Sequence, residues 1–227
     1  MDASAAKDAV HFARLSGVQV GVDAFDTGGI GDPRCSILVA DPCRFPSDPL
    51  EEIAQLRVAD IKSEGGIWYF DIALGAGDGK AMPAKKLKSK AAPRRIPIHA
   101  IVLEAGFVKH VESARKSGKV LVFSDLVARG VADRYGYTFS KWFGRYTKDT
   151  GINGDKTKGV VFHSFRHTAI SAMKWAGVHP DIMDELEGHA GQGERKRYSK
   201  QSPIPVLKQA IEAIQYEGIT ADLFRSD

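Results

Sequence analysis

The sequence predicts a mixed α+β domain, mainly α-helical, with a small antiparallel β-sheet. Three observations predict it. Apolar residues recur at steps of three or four over several stretches between residues 50 and 214, the period of amphipathic helices. Strand-forming residues gather in two short runs, 67–72 and 94–98. Glycine-rich and basic residues fill the gap between those runs, which fits a hairpin connection.

Taken in order, residues 5–15 read as a short helix with Ser4 as its N-cap. Residues 23–49 crowd turn formers together, with Pro33, Pro42, Pro46 and Pro49 each behind a polar or aromatic residue. Residues 1–49 are therefore expected to be an irregular N-terminal segment, a remnant or disrupted start, and residues 50–227 the folded domain. From Leu50, the positions Ile53, Leu56, Val58 and Ile61 alternate with Glu51, Glu52, Arg57 and Asp60, the pattern of a short amphipathic helix and a turn. Pro49 suits the first turn of that helix.

Ile67-Trp-Tyr-Phe-Asp-Ile72 reads as a strand, and Arg94-Arg-Ile-Pro-Ile98 as its returning partner with Pro97 near the end or on an edge. Residues 75–79 read as a flexible loop and 85–95 as a basic run. One helix is expected over 100–116, stopped near Gly118. Residues 120–123 are a short apolar piece. Phe139, Trp142, Phe143 and Tyr146 lie at helical spacing over 138–150, with Arg145 and Lys148 left on the outer side. The helix at 163–176 is the best patterned, and Gly177 ends it. His179-Pro180 opens a further helix that ends at Gly188. A last amphipathic helix spans 204–214, expected to pack on its own domain.

The bulk numbers exclude little but bound the answer. The 227 residues suffice for one sizeable domain. Net charge is +4, a mild basic excess that permits a nucleic-acid partner without demanding one. Two cysteines, Cys35 and Cys43, make neither a disulfide framework nor a four-ligand zinc site by themselves. There is no apolar run of about 20 residues and no secretory-type start, so a cytoplasmic protein is expected.

The chemistry concentrates in Val161-Phe-His-Ser-Phe-Arg-His-Thr168. His163, Arg166 and His167 fall at i, i+3 and i+4 and are expected to share a helix face beside the apolar stripe. Arginine offers a planar fork of donors to phosphate oxygens, and histidine donates or moves a proton near neutral pH. On this helix alone, structural and functional roles stand level. The two histidines also have the spacing of a zinc-binding H-E-x-x-H helix, but position 164 is Ser where that chemistry needs a glutamate base. Downstream lie Gly188-His189 and then Tyr198, which follows Arg195-Lys-Arg. Neighbouring cations favour the phenolate that such a tyrosine needs to attack a phosphate. The run Gly75-Ala-Gly77-Asp-Gly79 lacks the form of a nucleotide-binding loop.

The ordered set His163-Ser-Phe-Arg166-His167-Thr168, Gly188-His189 and Tyr198 resembles the catalytic core of the tyrosine recombinases, the phage-integrase family. The likeness extends upstream through Lys88-Ser-Lys-Ala-Ala-Pro-Arg94-Arg-Ile-Pro97 to the helix containing Glu52, about 180 residues in all. It implies a tyrosine-recombinase-like catalytic domain over residues 50–227. It also implies site-specific recombination, the integration or excision of a mobile element, by strand cleavage and rejoining through a 3′-phosphotyrosine. Tyr198 would be the nucleophile and Lys88 the acid for the leaving 5′-oxygen, with Lys86 and Lys90 as rival lysines. Arg166 and His189 would bind phosphate oxygens, and His163 would accept or orient a proton. No cofactor or metal is implied. The implied partner is double-stranded DNA, bound by a homo-oligomer, a tetramer, with Lys86, Lys90, Arg94, Arg145, Arg195 and Arg197 as DNA contacts.

The chain departs from the family pattern in two places. The family's first arginine falls where this chain has Pro49, and residues 1–49 are too short for the helical domain that clasps DNA from the far side. The alternative reading is therefore a catalytically impaired, DNA-binding remnant of an integrase.

Overall fold

The computed structural model describes residues 49–72, 94–130, 132–149, 162, 164–188 and 201–215. Helix α1 spans Pro49–Ala54 and is followed by one 3-10 turn, Val58–Asp60. Asp60 closes that turn by accepting the backbone N–H of Arg57 at 2.8 Å. Strands β1 (Ile61–Glu64) and β2 (Ile67–Ile72) form a hairpin, and β3 (Arg94–Pro97) pairs antiparallel with β2 to complete a sheet of order β1-β2-β3. Gly65 and Gly66 make the hairpin turn with φ of 57° and 80°. A two-residue loop of this hand needs positive φ at both positions, which glycine adopts without strain.

Strand β1 is a strand that the sequence pattern concealed. Ile61 reads as the end of an apolar helical series, yet it pairs with Phe70 in the hairpin. Phe70 pairs in turn with Ile96, so one row crosses all three strands. All three side chains are buried. Burying each contributes roughly 1.5–3 kcal/mol, which makes this row a main source of sheet stability. The expected strand and its returning partner are both present, with Pro97 closing the edge strand β3 where its missing N–H disturbs no further ladder.

The helix expected over 100–116 is two helices, α2 (Ala100–Glu104) and α3 (Phe107–Lys116). Gly106, at φ 92°, breaks the run and turns Phe107 into the core against Phe70, ring centroids 5.7 Å apart. The remaining helices are α4 (Tyr137–Asp149), α5 (Ser164–Trp175), α6 (Pro180–Glu187) and α7 (Ile204–Glu212). The N-caps of α2 and α6 are histidines, His99 and His179, whose Nδ1 accepts a backbone N–H at 3.2 Å in each case.

Helix α7 packs on its own sheet, as expected. Ile204, Leu207, Ala210 and Ile211 are buried, and the helix lies against β2 and β3. Lys208 donates to the Ile98 carbonyl at 2.7 Å, and Glu212 accepts the Ala100 N–H at 2.9 Å. Both contacts stitch α7 to the link between β3 and α2. Phe162, Phe139, Phe143 and Phe165 form an edge-to-face aromatic cluster with centroid separations of 5.5–5.9 Å, which fixes the start of α5 against α4.

The polar side of the 50–61 pattern does not face water. Glu51, Glu52 and Arg57 are all buried. Helical periodicity assigns charges outward by default, but a buried charge is stable when partners satisfy it. Glu51 accepts the backbone N–H groups of Tyr135 and Gly136 at 3.0 and 2.8 Å, and the Gln55 amide at 2.7 Å. It thereby ties α1 to the segment that leads into α4.

Candidate functional site

Arg166 lies in the first turn of α5 and is buried, on the same side of the helix as Ala169 and Met173. Its Nη2 donates to Glu187 Oε2 at 2.8 Å, a pair with only 6% side-chain exposure on each partner. Glu187 is the last residue of α6, so the ion pair joins the start of one helix to the end of the next. His167 follows Arg166 directly and is exposed. The expectation that both share one face therefore fails. The stripe is rotated so that the arginine enters the core and the histidine leaves it.

Arg94, the first residue of β3, forms a second buried pair. Its Nη2 donates to Glu52 Oε2 at 3.1 Å, with side-chain exposures of 2% and 4%. Burial pushes the Arg94 guanidinium below the ordinary arginine range; Glu52 opposes this by charge and hydrogen bond, and the charge of Arg166 adds to the lowering. The two arginines therefore lie close enough to sense each other. Arg94 was read from sequence as a DNA contact, but the structure places it inside, at 2% exposure. Sequence reasoning missed this because Arg94 sits in a basic run whose other members read as solvated.

Gly188 completes the cluster. It caps α6 in the left-handed region at φ 70°. A Cβ there would lie 2.9 Å from Arg94 Nη1 and 3.0 Å from its Cζ. The structure thus gathers Glu52 from α1, Arg94 from β3, Arg166 from α5 and Glu187-Gly188 from the end of α6. In sequence, His189 follows immediately. Sequence reasoning gave no role to Glu187, whose partner is 21 residues away and carries no spacing signal.

Of the other expected site residues, Arg145 is on the exposed side of α4, as anticipated. Lys86, Lys88, Lys90, His163, His189, Arg195, Arg197 and Tyr198 lie outside the described residues. Among the described residues, no group of three or more His, Cys, Asp or Glu side chains is placed to hold a metal ion. No helix among them is long and apolar enough to cross a membrane. The arrangement can do one thing chemically: hold two guanidinium groups at fixed positions in a low-dielectric setting, each matched to an oxyanion.

No family model matches the chain, and no curated protein sequence does. Solved structures do. An integrase from mycobacterium phage Brujita superposes with a TM-score of 0.51 at 13% identity, covering 96% of this chain and 60% of the integrase. A XerH site-specific recombinase bound to its difH substrate in a pre-cleavage complex gives a TM-score of 0.49 at 15% identity, covering 84% of this chain and 47% of that one. The chain therefore spans about 60% of the integrase it resembles. The likeness is one of fold: a mainly helical domain with a small three-stranded antiparallel sheet, similar to that of the phage integrase.

Proposed function

We propose that this chain is the catalytic part of an enzyme that cleaves and rejoins DNA strands in site-specific recombination. The observation that carries the reading is the buried cluster in which Arg166, from the His-x-x-Arg run, meets the residues just before His189. Two stretches far apart in sequence, each part of the recombinase-like set, converge on one guanidinium. An arginine fixed in this way can stabilise the charge that grows on the non-bridging oxygens of a phosphodiester under attack.

The proposed reaction runs as follows. The Tyr198 oxygen attacks the scissile phosphorus, and His163 accepts or orients the phenolic proton. The bond from phosphorus to the 5′-oxygen breaks, and Lys88 gives that oxygen its proton. The product is a 3′-phosphotyrosyl bond and a free 5′-hydroxyl. The bond energy is retained, so the reverse attack by a 5′-hydroxyl reseals a strand without ATP. His189 donates to a phosphate oxygen. Arg145, with Lys86, Lys90, Arg195 and Arg197, forms the duplex-binding surface, while Arg94 acts from within. Assembly as a homo-oligomer on DNA belongs to the same reading.

A second reading is favoured by position 49. Where the family pattern has its first arginine, helix α1 begins with Pro49, which has no cation. Losing one transition-state donor costs about 10²–10³ in rate, so the chain would be a DNA-binding remnant with impaired chemistry. A nicked suicide DNA substrate separates the two. A covalent adduct on a denaturing gel that disappears in Tyr198→Phe supports the enzyme. An adduct seen only after Pro49→Arg supports the remnant. No adduct and no duplex binding in either protein would sink both.

A further inference from the structure

The carboxylate of Glu187 sits on the guanidinium of Arg166. It receives the Arg166 Nη2 hydrogen bond at 2.8 Å inside the fold. Carboxylate and phosphate oxygens satisfy a guanidinium fork with the same geometry, so the two are chemically interchangeable there. The surrounding charge supports exchange over addition. Arg94 and Arg166 are matched by Glu52 and Glu187, which leaves the four groups formally neutral. A phosphate added to this neutral set would face two carboxylates; a phosphate replacing one of them would not.

The two glutamates differ in how readily they can leave. Glu52 lies within α1, beside Glu51, whose carboxylate is held by two backbone N–H groups. Glu187 is the final residue of α6, followed by Gly188 at φ 70°. The last turn of a helix opens at lower cost than its interior. We infer that Glu187 is an internal stand-in for phosphate: it holds Arg166 when no DNA is bound and is displaced when a phosphodiester arrives. This inference rests on reading the cluster as a DNA-phosphate site.

The test uses sulfate as the probe, with chloride at matched ionic strength as control. Thermal unfolding is followed for wild type, Glu187→Gln, and Glu187→Gln combined with Arg166→Gln. Sulfate stabilises most proteins slightly by exclusion, so the wild-type response is the reference. The single variant should gain a further rise in Tm of roughly 4 °C, given a site of Kd ~1 mM assayed at ~20 mM sulfate. The double variant should lose that gain. Equal responses in wild type and Glu187→Gln overturn the exchange.

If Glu187→Gln folds only with sulfate present, the inference is supported. If it is unfolded in both salts and Glu187→Asp responds as wild type does, the inference fails. Binding of a short duplex forms a separate arm, in which Glu187→Gln should bind about tenfold more tightly than wild type. A sulfate gain without a duplex gain overturns the phosphodiester assignment and leaves exchange with a free oxyanion, while the DNA reading stands or falls by the suicide-substrate assay. A covalent adduct with no sulfate gain keeps the enzyme reading and removes only this inference.

Discussion

Arg94 lies against Gly188 so closely that any side-chain carbon at position 188 would enter its guanidinium, 2.9 Å from Nη1. The same glycine holds φ at 70°. Two separate demands therefore fall on one residue, one of backbone conformation and one of space. Gly188→Ala should cost at least about 1–3 kcal/mol from backbone strain alone, measured by urea unfolding. Gly188→Asn separates the demands, because asparagine tolerates the left-handed region but still carries a Cβ. An asparagine variant as unstable as the alanine variant shows that the contact dominates. Wild-type stability in the alanine variant would contradict the geometry.

The two buried pairs should behave as coupled units. Removing one partner from Arg166–Glu187 or Glu52–Arg94 should cost about 3–5 kcal/mol, because a buried charge loses its ion-pair partner. Replacing both partners of one pair by apolar residues of similar volume should recover most of the loss. A double-mutant cycle in chemical denaturation measures this. Additive losses would show that the pairs are not energetic units.

Arg94 and Arg145 should give opposite signatures, the first buried and the second exposed. Arg145→Ala should leave stability within about 0.5 kcal/mol of wild type. If Arg145 touches a phosphate, it should also reduce the slope of log affinity against log salt for duplex DNA by about 0.9. Arg94→Ala should lower stability. Comparing salt titrations with unfolding curves for the two variants decides the matter, and a swapped result would reverse their assigned places.

Tyr146 gives an alkaline handle on helix α4. Burial raises its phenol above the usual tyrosine value of 10.0. The unfolded chain ionises first as pH rises, so above about pH 10 the folded state binds more protons than the unfolded state and stability falls. The loss continues until the pH passes the raised folded value. Tyr146→Phe should remove that part of the alkaline loss and change little at pH 7. Stability curves for the two proteins that stay parallel above pH 10 would count against the burial of this ring, which stacks on Trp142 at 5.3 Å.

Much of the fold was legible in the sequence, for identifiable reasons. The run 67–72 is strand from end to end because aromatic and β-branched residues fill it. The helix expected over 138–150 is observed at Tyr137–Asp149, with Phe139 and Phe143 inward. What the pattern hid was of two kinds. Local exceptions were one kind: Gly106 splits a periodic stretch into two helices, and Ile61 satisfies both a helical and a strand period. Buried charge was the other. Glu52 and Arg94 are 42 residues apart, and only the folded chain shows that they meet. Arg166 was identified by its motif, yet that motif carried no sign that the guanidinium would be buried or that Glu187 would hold it.

The row Ile61–Phe70–Ile96 has a consequence for how the molecule opens. Strand β2 is hydrogen-bonded on both edges and carries a fully buried Phe70 at the centre of that row, so its amides should exchange with solvent only when the whole domain unfolds. Arg94 begins the neighbouring strand, two residues before Ile96. Its backbone is therefore moored to the part of the chain expected to exchange most slowly, while Glu187 closes helix α6, outside the sheet. The exchange of anions inferred at Arg166 would therefore leave the sheet shut.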